Sequence, residues 1–163
     1  MNESFQLAVT APGFRIGVRC DEKEIIEIRY LEPGPAIPPQ NALAAETQRQ
    51  LRAYLDRPET SFNLPLRPAG TPFQQSVWAQ IAAIPCHQTR TYGALAKALH
   101  NAPRAVGQAC GANPFPLVVP CHRVIAANGG LGGFARQRGG FLVDVKRWLL
   151  THEGQLQDLR TEP

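Results

Sequence analysis

Thr71-Pro72-Phe73-Gln74-Gln75-Ser76-Val77-Trp78 divides this chain into two unlike parts. A threonine followed by proline, with glutamine three residues on, is a capping box with proline at the first helical position. The hydroxyl and the glutamine amide satisfy backbone N–H groups that the first helical turn leaves open. Phe73, Val77, Trp78 and Ile81 then share one face until Pro85 stops the run. Upstream of this start signal the patterning is mostly that of strands; downstream it is mostly helical.

Upstream, Phe5, Leu7 and Val9 alternate, as do Ile16 and Val18, and Pro12-Gly13 between them supplies a turn. Glu24 to Leu31 makes a third strand, with Ile25, Ile26, Ile28 and Tyr30 as its apolar content. Pro33-Gly34-Pro35-Ala36-Ile37-Pro38-Pro39 interrupts regular structure and reads as a stiff linker. A helix is expected from about Asn41 to Leu55, packing through Leu43, Leu51, Tyr54 and Leu55. Phe62 and Leu64 suggest a short strand before Pro65.

Downstream, helices are expected from about Tyr92 to Leu99, opened by Thr91, and, after Asn101-Ala102-Pro103, from Arg104 through Cys110 towards Asn113. Two short helices so closely joined match the helix-turn-helix layout, whose second member enters a DNA groove. That second helix carries Ala105, Gly107, Ala109, Gly111 and Ala112 with a single arginine, Arg104. It lacks the several Arg, Asn or Gln side chains that read base edges in a major groove, and its small residues suit close backbone approach in the minor groove. Leu117-Val118-Val119 reads as a short buried strand before Pro120-Cys121-His122-Arg123. A glycine-rich loop follows over 128–133, then a last helix from Phe141 to His152 ended by Gly154. The fold class expected is α+β. A small N-terminal strand-and-helix α/β domain spans 1–67, a mostly helical domain spans 68–156, and a tail spans 157–163.

Hydrophobic residues make up 44% of the chain and charged ones 18%, a globular balance. The first residues have neither a basic nor an apolar signal segment, and no stretch is apolar enough to span a bilayer, so an intracellular, cytoplasmic protein is expected. Residues 1–65 hold 7 Lys/Arg against 9 Asp/Glu, whereas residues 66–163 hold 10 against 4. From Thr60 through Val143 there is no carboxylate. Such a surface attracts polyanions by steering and counterion release, although a solvated basic face has the same composition.

Cys20, Cys86, Cys110 and Cys121 form no C-x-x-C pair and read as free thiols without a zinc site. Two near-identical tripeptides, Pro85-Cys86-His87 and Pro120-Cys121-His122, each pair a thiol with an imidazole able to take its proton. Cys121, at the end of a buried run and before a glycine-rich loop, is the better placed nucleophile, with His122 reaching it through water. A carboxylate would hold the other histidine nitrogen. In the C-terminal half the choice is Asp144, Glu153, Asp158 or Glu162. Glu153, following a packed helix, is the best anchored of these, and a solvated helix-end role stays open for it.

Pro120-Cys121-His122-Arg123-Val124-Ile125 resembles the active-site signature of the O6-alkylguanine-DNA alkyltransferases (methylated-DNA–protein-cysteine methyltransferases). The likeness covers roughly residues 70–154 and includes Thr91-Tyr92-Gly93, Arg104-Ala105-Val106-Gly107, Gly111-Ala112-Asn113-Pro114 and Trp148-Leu149-Leu150-Thr151-His152-Glu153-Gly154. The resemblance implies a winged helix-turn-helix-like domain that flips O6-alkylguanine out of double-stranded DNA from the minor groove. Cys121 would accept the alkyl group irreversibly, once per molecule. His122 would act as base, oriented by Glu153; Tyr92 would assist the leaving guanine; Asn113 would brace the turn carrying the cysteine. Arg104 would fill the gap in the stack, with Thr71, Tyr92 and Gly93 meeting the DNA backbone. The protein would be a monomer needing no cofactor and no metal.

Phe134 departs from the usual tyrosine, and Ala135-Arg136-Gln137-Arg138 lengthens the loop after it, where Arg136 and Arg138 are expected to add phosphate contacts. The link from His100 to Pro103 is also slightly short. The rivals to this reading are a non-catalytic lesion binder and a cysteine hydrolase.

Overall fold

Leu7–Ala11 (β1), Phe14–Cys20 (β2) and Ile25–Leu31 (β3) form an antiparallel sheet in the order β1-β2-β3. The computed structural model describes residues 4–127 and 140–155, and the chain divides into two units, Met1–Pro68 and Ala69–Pro163. In the first unit Ala11 pairs with Phe14 across Pro12-Gly13, and Gly13 takes φ +85°, a conformation that favours glycine. Leu7, Ile16, Val18 and Ile25 are fully buried, worth about 1.5–3 kcal/mol each relative to exposure.

Helix α1, Ala42–Asp56, packs on β1 and β2 and is capped by Asn41, whose Oδ1 accepts from the Ala44 N–H at 2.8 Å. Its buried face is Ala44, Thr47, Gln50, Leu51 and Tyr54, whereas the expected Leu43 and Leu55 are only half-buried. Two polar residues enter that face because each finds partners. The Thr47 hydroxyl donates to the Leu43 carbonyl, and the Gln50 amide both donates to and accepts from the Asn63 backbone, at 3.0 and 2.8 Å. That amide takes the place of strand pairing, so no strand forms at Phe62 and Leu64. The chain meets the sheet instead at an Ile25–Leu66 bridge. The proline-rich stretch is also more than a linker: Ile37 exchanges two backbone hydrogen bonds with Ala8, covering the β1 edge.

In the second unit, α2 (Pro72–Ala82) opens with both halves of the capping box, at 3.1 and 2.9 Å. Helices α3 (Tyr92–Ala98) and α4 (Pro103–Gly111) pack on each other across a four-residue link. The Trp78 indole N–H donates to the Ala109 carbonyl at 2.9 Å, tying α2 to α4. Leu117–Val119 is not a strand. Leu117 has φ +79° and the Val119 N–H closes a turn onto the Phe115 carbonyl. Pro114, Pro116 and Pro120 deny this segment the donors a ladder needs. Cys121–Arg123 forms one 3-10 turn, and pairing resumes at β5 (Val124–Ile125), which lies parallel to β4 (Arg90–Thr91). Helix α5, Phe141–His152, ends at Gly154, φ +80°.

The glycine-rich loop, Phe134, and Arg136 and Arg138 fall within 128–139, outside the described residues, as does the tail from 156 onward. Among the described residues no helix is long and apolar enough to cross a membrane.

Candidate active site

Cys121 opens the 3-10 turn and is 3% exposed. Asn113, just beyond α4, donates from one Nδ2 to Cys121 Sγ at 3.2 Å and to the Val119 carbonyl at 2.9 Å. Its Oδ1 accepts the Phe115 N–H, so a single amide binds both limbs of the turn to the sulfur. A hydrogen bond to Cys110, then burial, pushes the Cys121 thiol well above its ordinary range. At rest the group is a thiol, and its use as a nucleophile requires a base.

His122 and Glu153 are both 0% exposed, and His122 Nε2 lies 2.8 Å from Glu153 Oε2. Burial holds the imidazole pKa below its usual value despite the opposing carboxylate. The ring is therefore neutral near pH 7, with Nε2–H donated to the carboxylate and Nδ1 left as the basic nitrogen. Nδ1 is buried without a hydrogen-bond partner among the described residues. Arg123 fixes the other side of Glu153, donating from Nε to Oε1 at 2.8 Å and from Nη2 to Oε2 at 3.0 Å. Its third nitrogen donates to the Ile84 carbonyl at 2.7 Å.

The second tripeptide ends on the same residue. His87, at φ +72°, places Nδ1 2.6 Å from the Glu153 backbone carbonyl. Cys86 is half-buried. Both Cys-His pairs thus converge on Glu153, one through its side chain and one through its backbone.

Lys146 was not anticipated. It is 0% exposed on α5, donates to the Val124 carbonyl at 2.7 Å, and sits 5.8 Å from the Tyr92 ring centroid. The signal was its position on the stripe formed with Val143, Leu149 and Leu150. Burial lowers its pKa to about 8, against the pull of Cys110 and Cys121. An unfolded lysine holds its proton to about pH 10.4. Between those values the unfolded chain binds more protons, so this residue's contribution to stability rises with pH through that window. Tyr92 and Cys121, both shifted up, oppose it there. The informative quantity is therefore the wild-type minus Lys146→Met difference in urea unfolding. It is expected to shift towards the wild type by about 2 kcal/mol from about pH 7 to about pH 10. A constant difference would contradict the lowered pKa.

Burial also keeps the Tyr92 phenol protonated well above neutral pH. Arg104 is exposed near the start of α4. Gly93 is exposed in the first turn of α3, and Thr71 is the exposed cap of α2 with its oxygen already accepting the Gln74 N–H. The structure therefore gathers Cys121, His122, Glu153 and Asn113 into one cluster, with Tyr92 beside Lys146. Thr71, Gly93 and Arg104 stand at exposed helix starts. Among the described residues no group of three or more His, Cys, Asp or Glu side chains is placed to hold a metal.

A family model described as 6-O-methylguanine DNA methyltransferase, DNA binding domain, matches residues 72–155. The chain is similar to a methylated-DNA–protein-cysteine methyltransferase of Methanosarcina mazei, 47% identical over 110 residues, 66% of each chain. A protein of that name from Salmonella typhimurium is 57% identical over 89 residues, 53% of this chain and 49% of the relative. The chain thus spans from about half to about two thirds of the length of these relatives. A crystal structure of Mycobacterium tuberculosis OGT in complex with DNA matches with TM-score 0.76 and 34% identity, over 90% of both chains.

Proposed function

The chain belongs to the 6-O-methylguanine DNA methyltransferase family, and we propose that it repairs O6-alkylguanine in duplex DNA by moving the alkyl group onto Cys121. The observation that supports this reading is the buried group next to Cys121 in the turn: a buried thiol, a histidine whose Nδ1 has no hydrogen-bond partner among the described residues, and a carboxylate held by Arg123. A water bridging Sγ and Nδ1 passes the thiol proton to His122, and Glu153 stabilises the imidazolium that results. The S–C bond forms as the C–O6 bond breaks. Tyr92, still protonated, donates to the departing guanine. The thioether left behind has no adjacent group able to reverse it, so each molecule reacts once.

O6 is inaccessible inside a stacked duplex, and extruding the nucleotide costs roughly a few kcal/mol. In this reading α3 and α4 act as a helix-turn-helix in the minor groove, Arg104 occupies the emptied place in the stack, and Thr71, Tyr92 and Gly93 meet phosphates. Residues 68–156 form the DNA-binding and transfer domain, working as a monomer inside the cell. Incubation with duplex DNA containing O6-methylguanine is expected to add one methyl mass to the protein, stoichiometrically and on the Cys121 peptide. Binding without an adduct would leave a lesion binder, and repeated turnover on an ester would leave a hydrolase.

The helix surfaces give a second test. A Cβ on Gly107 would meet nothing within 4 Å, and one on Gly93 would meet only Thr91 Oγ1 at 3.9 Å. The fold has room for alanine at both, and alanine favours a helix over glycine by about 1 kcal/mol. Gly93→Ala and Gly107→Ala are therefore expected to be at least as stable as wild type. Each is expected to bind duplex DNA about tenfold more weakly, a change of about 1.4 kcal/mol. Unaltered affinity by fluorescence anisotropy would rule out close backbone approach at these positions.

A further inference from the structure

Neither the relay nor the transfer step uses Cys110. Yet Cys121 Sγ lies 3.8 Å from the Cys110 carbonyl, in contact with Cys110 itself, and the two thiols shift one another's pKa in opposite directions. We propose that Cys110 and Cys121 are a modification site for hydrogen peroxide and organic hydroperoxides, closing to a disulfide that shields the acceptor sulfur until a thiol reductant reopens it.

Access favours Cys110 as the first sulfur attacked, because it is half-buried on α4 whereas Cys121 is 3% exposed. Protonation points the same way. The hydrogen bond from Cys121, with help from the Lys146 charge, lowers the Cys110 pKa against the effect of burial. The thiolate is the form that reacts with peroxide. The intervening chain is already folded back, with Asn113 holding the Val119 carbonyl and Cys121 Sγ together. Closure therefore needs little ordering beyond that of the resting protein.

The chemistry balances with peroxide as oxidant. The Cys110 thiolate attacks one peroxide oxygen, the O–O bond breaks, and the departing hydroxide takes up a proton as water. Cys110 is left as a sulfenic acid. Cys121 sulfur then attacks Cys110 sulfur; the S–S bond forms, and the sulfenic hydroxyl leaves as water with the Cys121 proton. Two electrons have passed from the thiol pair to the peroxide, and exchange with a dithiol returns them.

Trypsin leaves both cysteines on one peptide, Ala105 to Arg123, separate from Cys20 and Cys86. After stoichiometric hydrogen peroxide, that peptide from the full chain is expected to lose two hydrogens and to resist thiol labelling. Dithiothreitol is expected to restore labelling and, with it, methyl acceptance. Cys86→Ala should behave as wild type. In Cys110→Ala, excess peroxide is expected to carry Cys121 past sulfenic acid to sulfinic acid, each step consuming a further peroxide, and dithiothreitol does not reverse the product. A wild-type peptide with both thiols still labelled, a sulfinic Cys121 in wild type, or a bridge to Cys86 would each overturn the proposal. The mass readout on wild type is independent of alkyl transfer, so it can fail while the transferase reading stands.

Discussion

Cys121→Ser is expected to bind duplex DNA carrying O6-methylguanine as tightly as the wild type and to acquire no methyl group. The substitution keeps the shape of a side chain that is 3% exposed, and the Asn113 amide that donates to sulfur can donate to a hydroxyl. Stability is therefore expected to change by only about 1 kcal/mol. Reactivity should change far more. A serine hydroxyl beside a neutral imidazole stays protonated, and oxygen lacks the intrinsic nucleophilicity that sulfur brings to attack at carbon. Where a nucleophile and its base act as a unit, loss of the nucleophile costs about 10⁶-fold, and a rate at least ~10⁴-fold below wild type is expected here. Intact mass after prolonged incubation, read beside an anisotropy titration, separates the two quantities. A methyl group still arriving on the serine variant, at Cys110 for instance, would remove Cys121 from its assigned role.

Glu153→Gln is the second large effect, and it acts on stability and chemistry at once. Glu153 is 0% exposed and answers both Arg123, 12% exposed, and His122, 0% exposed. Neutralising it removes the charge that faces the guanidinium and half of the acceptor pair, while the bond to the Ile84 carbonyl stays. Breaking a buried pair from one side costs about 3–5 kcal/mol, and the isosteric amide keeps this change near the lower figure. The amide can also turn an N–H towards His122 Nε2. That forces the ring proton onto Nδ1, the nitrogen needed to receive the thiol proton. A histidine held in the wrong tautomer loses about 10⁴-fold as a base in the serine protease triad, and a loss of ~10²–10⁴-fold is expected here. Urea unfolding measures the first effect and single-turnover methyl transfer the second. The ¹⁵N shifts of His122 report the tautomer. A variant that is less stable but reacts at the wild-type rate would make Glu153 a purely structural residue.

The parts of this fold that were legible from sequence are those whose cause is local. The capping box at Thr71, the alternation in β1 and β2 and the apolar run of β3 lie within a few residues of their effects, and each element begins close to where they indicate. Leu117-Val118-Val119 has strand composition, but prolines on either side and a left-handed Leu117 make it a turn. Gln50 sits on the buried face because Asn63, thirteen residues later, supplies a backbone to pair with.

The candidate site divides in the same way. Cys121 and His122 are adjacent in sequence, and the scarcity of carboxylates limited the histidine's partner to a few candidates, whereas Asn113 and the choice of Glu153 over a solvated helix-end role rested on the family resemblance. Lys146 would ordinarily be taken to snorkel to solvent. Its burial depends on the Val124 carbonyl, from a different segment. Arg123 reaches Ile84, and His87 reaches Glu153, by contacts between segments with no shared pattern. Left-handed His87 occupies a conformation in which glycine or asparagine would be the ordinary choice.

The short β4–β5 ladder ties two tasks to one piece of backbone. Arg90 and Thr91 lead directly into α3, while Val124 and Ile125 follow directly from the turn that holds Cys121, and the four are paired side by side. The ladder pairs the backbone entering the helix that would grip DNA with the backbone leaving the turn that carries the sulfur. An engineer wishing to loosen the grip while preserving the chemistry should work on outlying side chains such as Arg104 and leave the ladder untouched. A displacement there would act on backbone that lies one residue from the turn holding the sulfur.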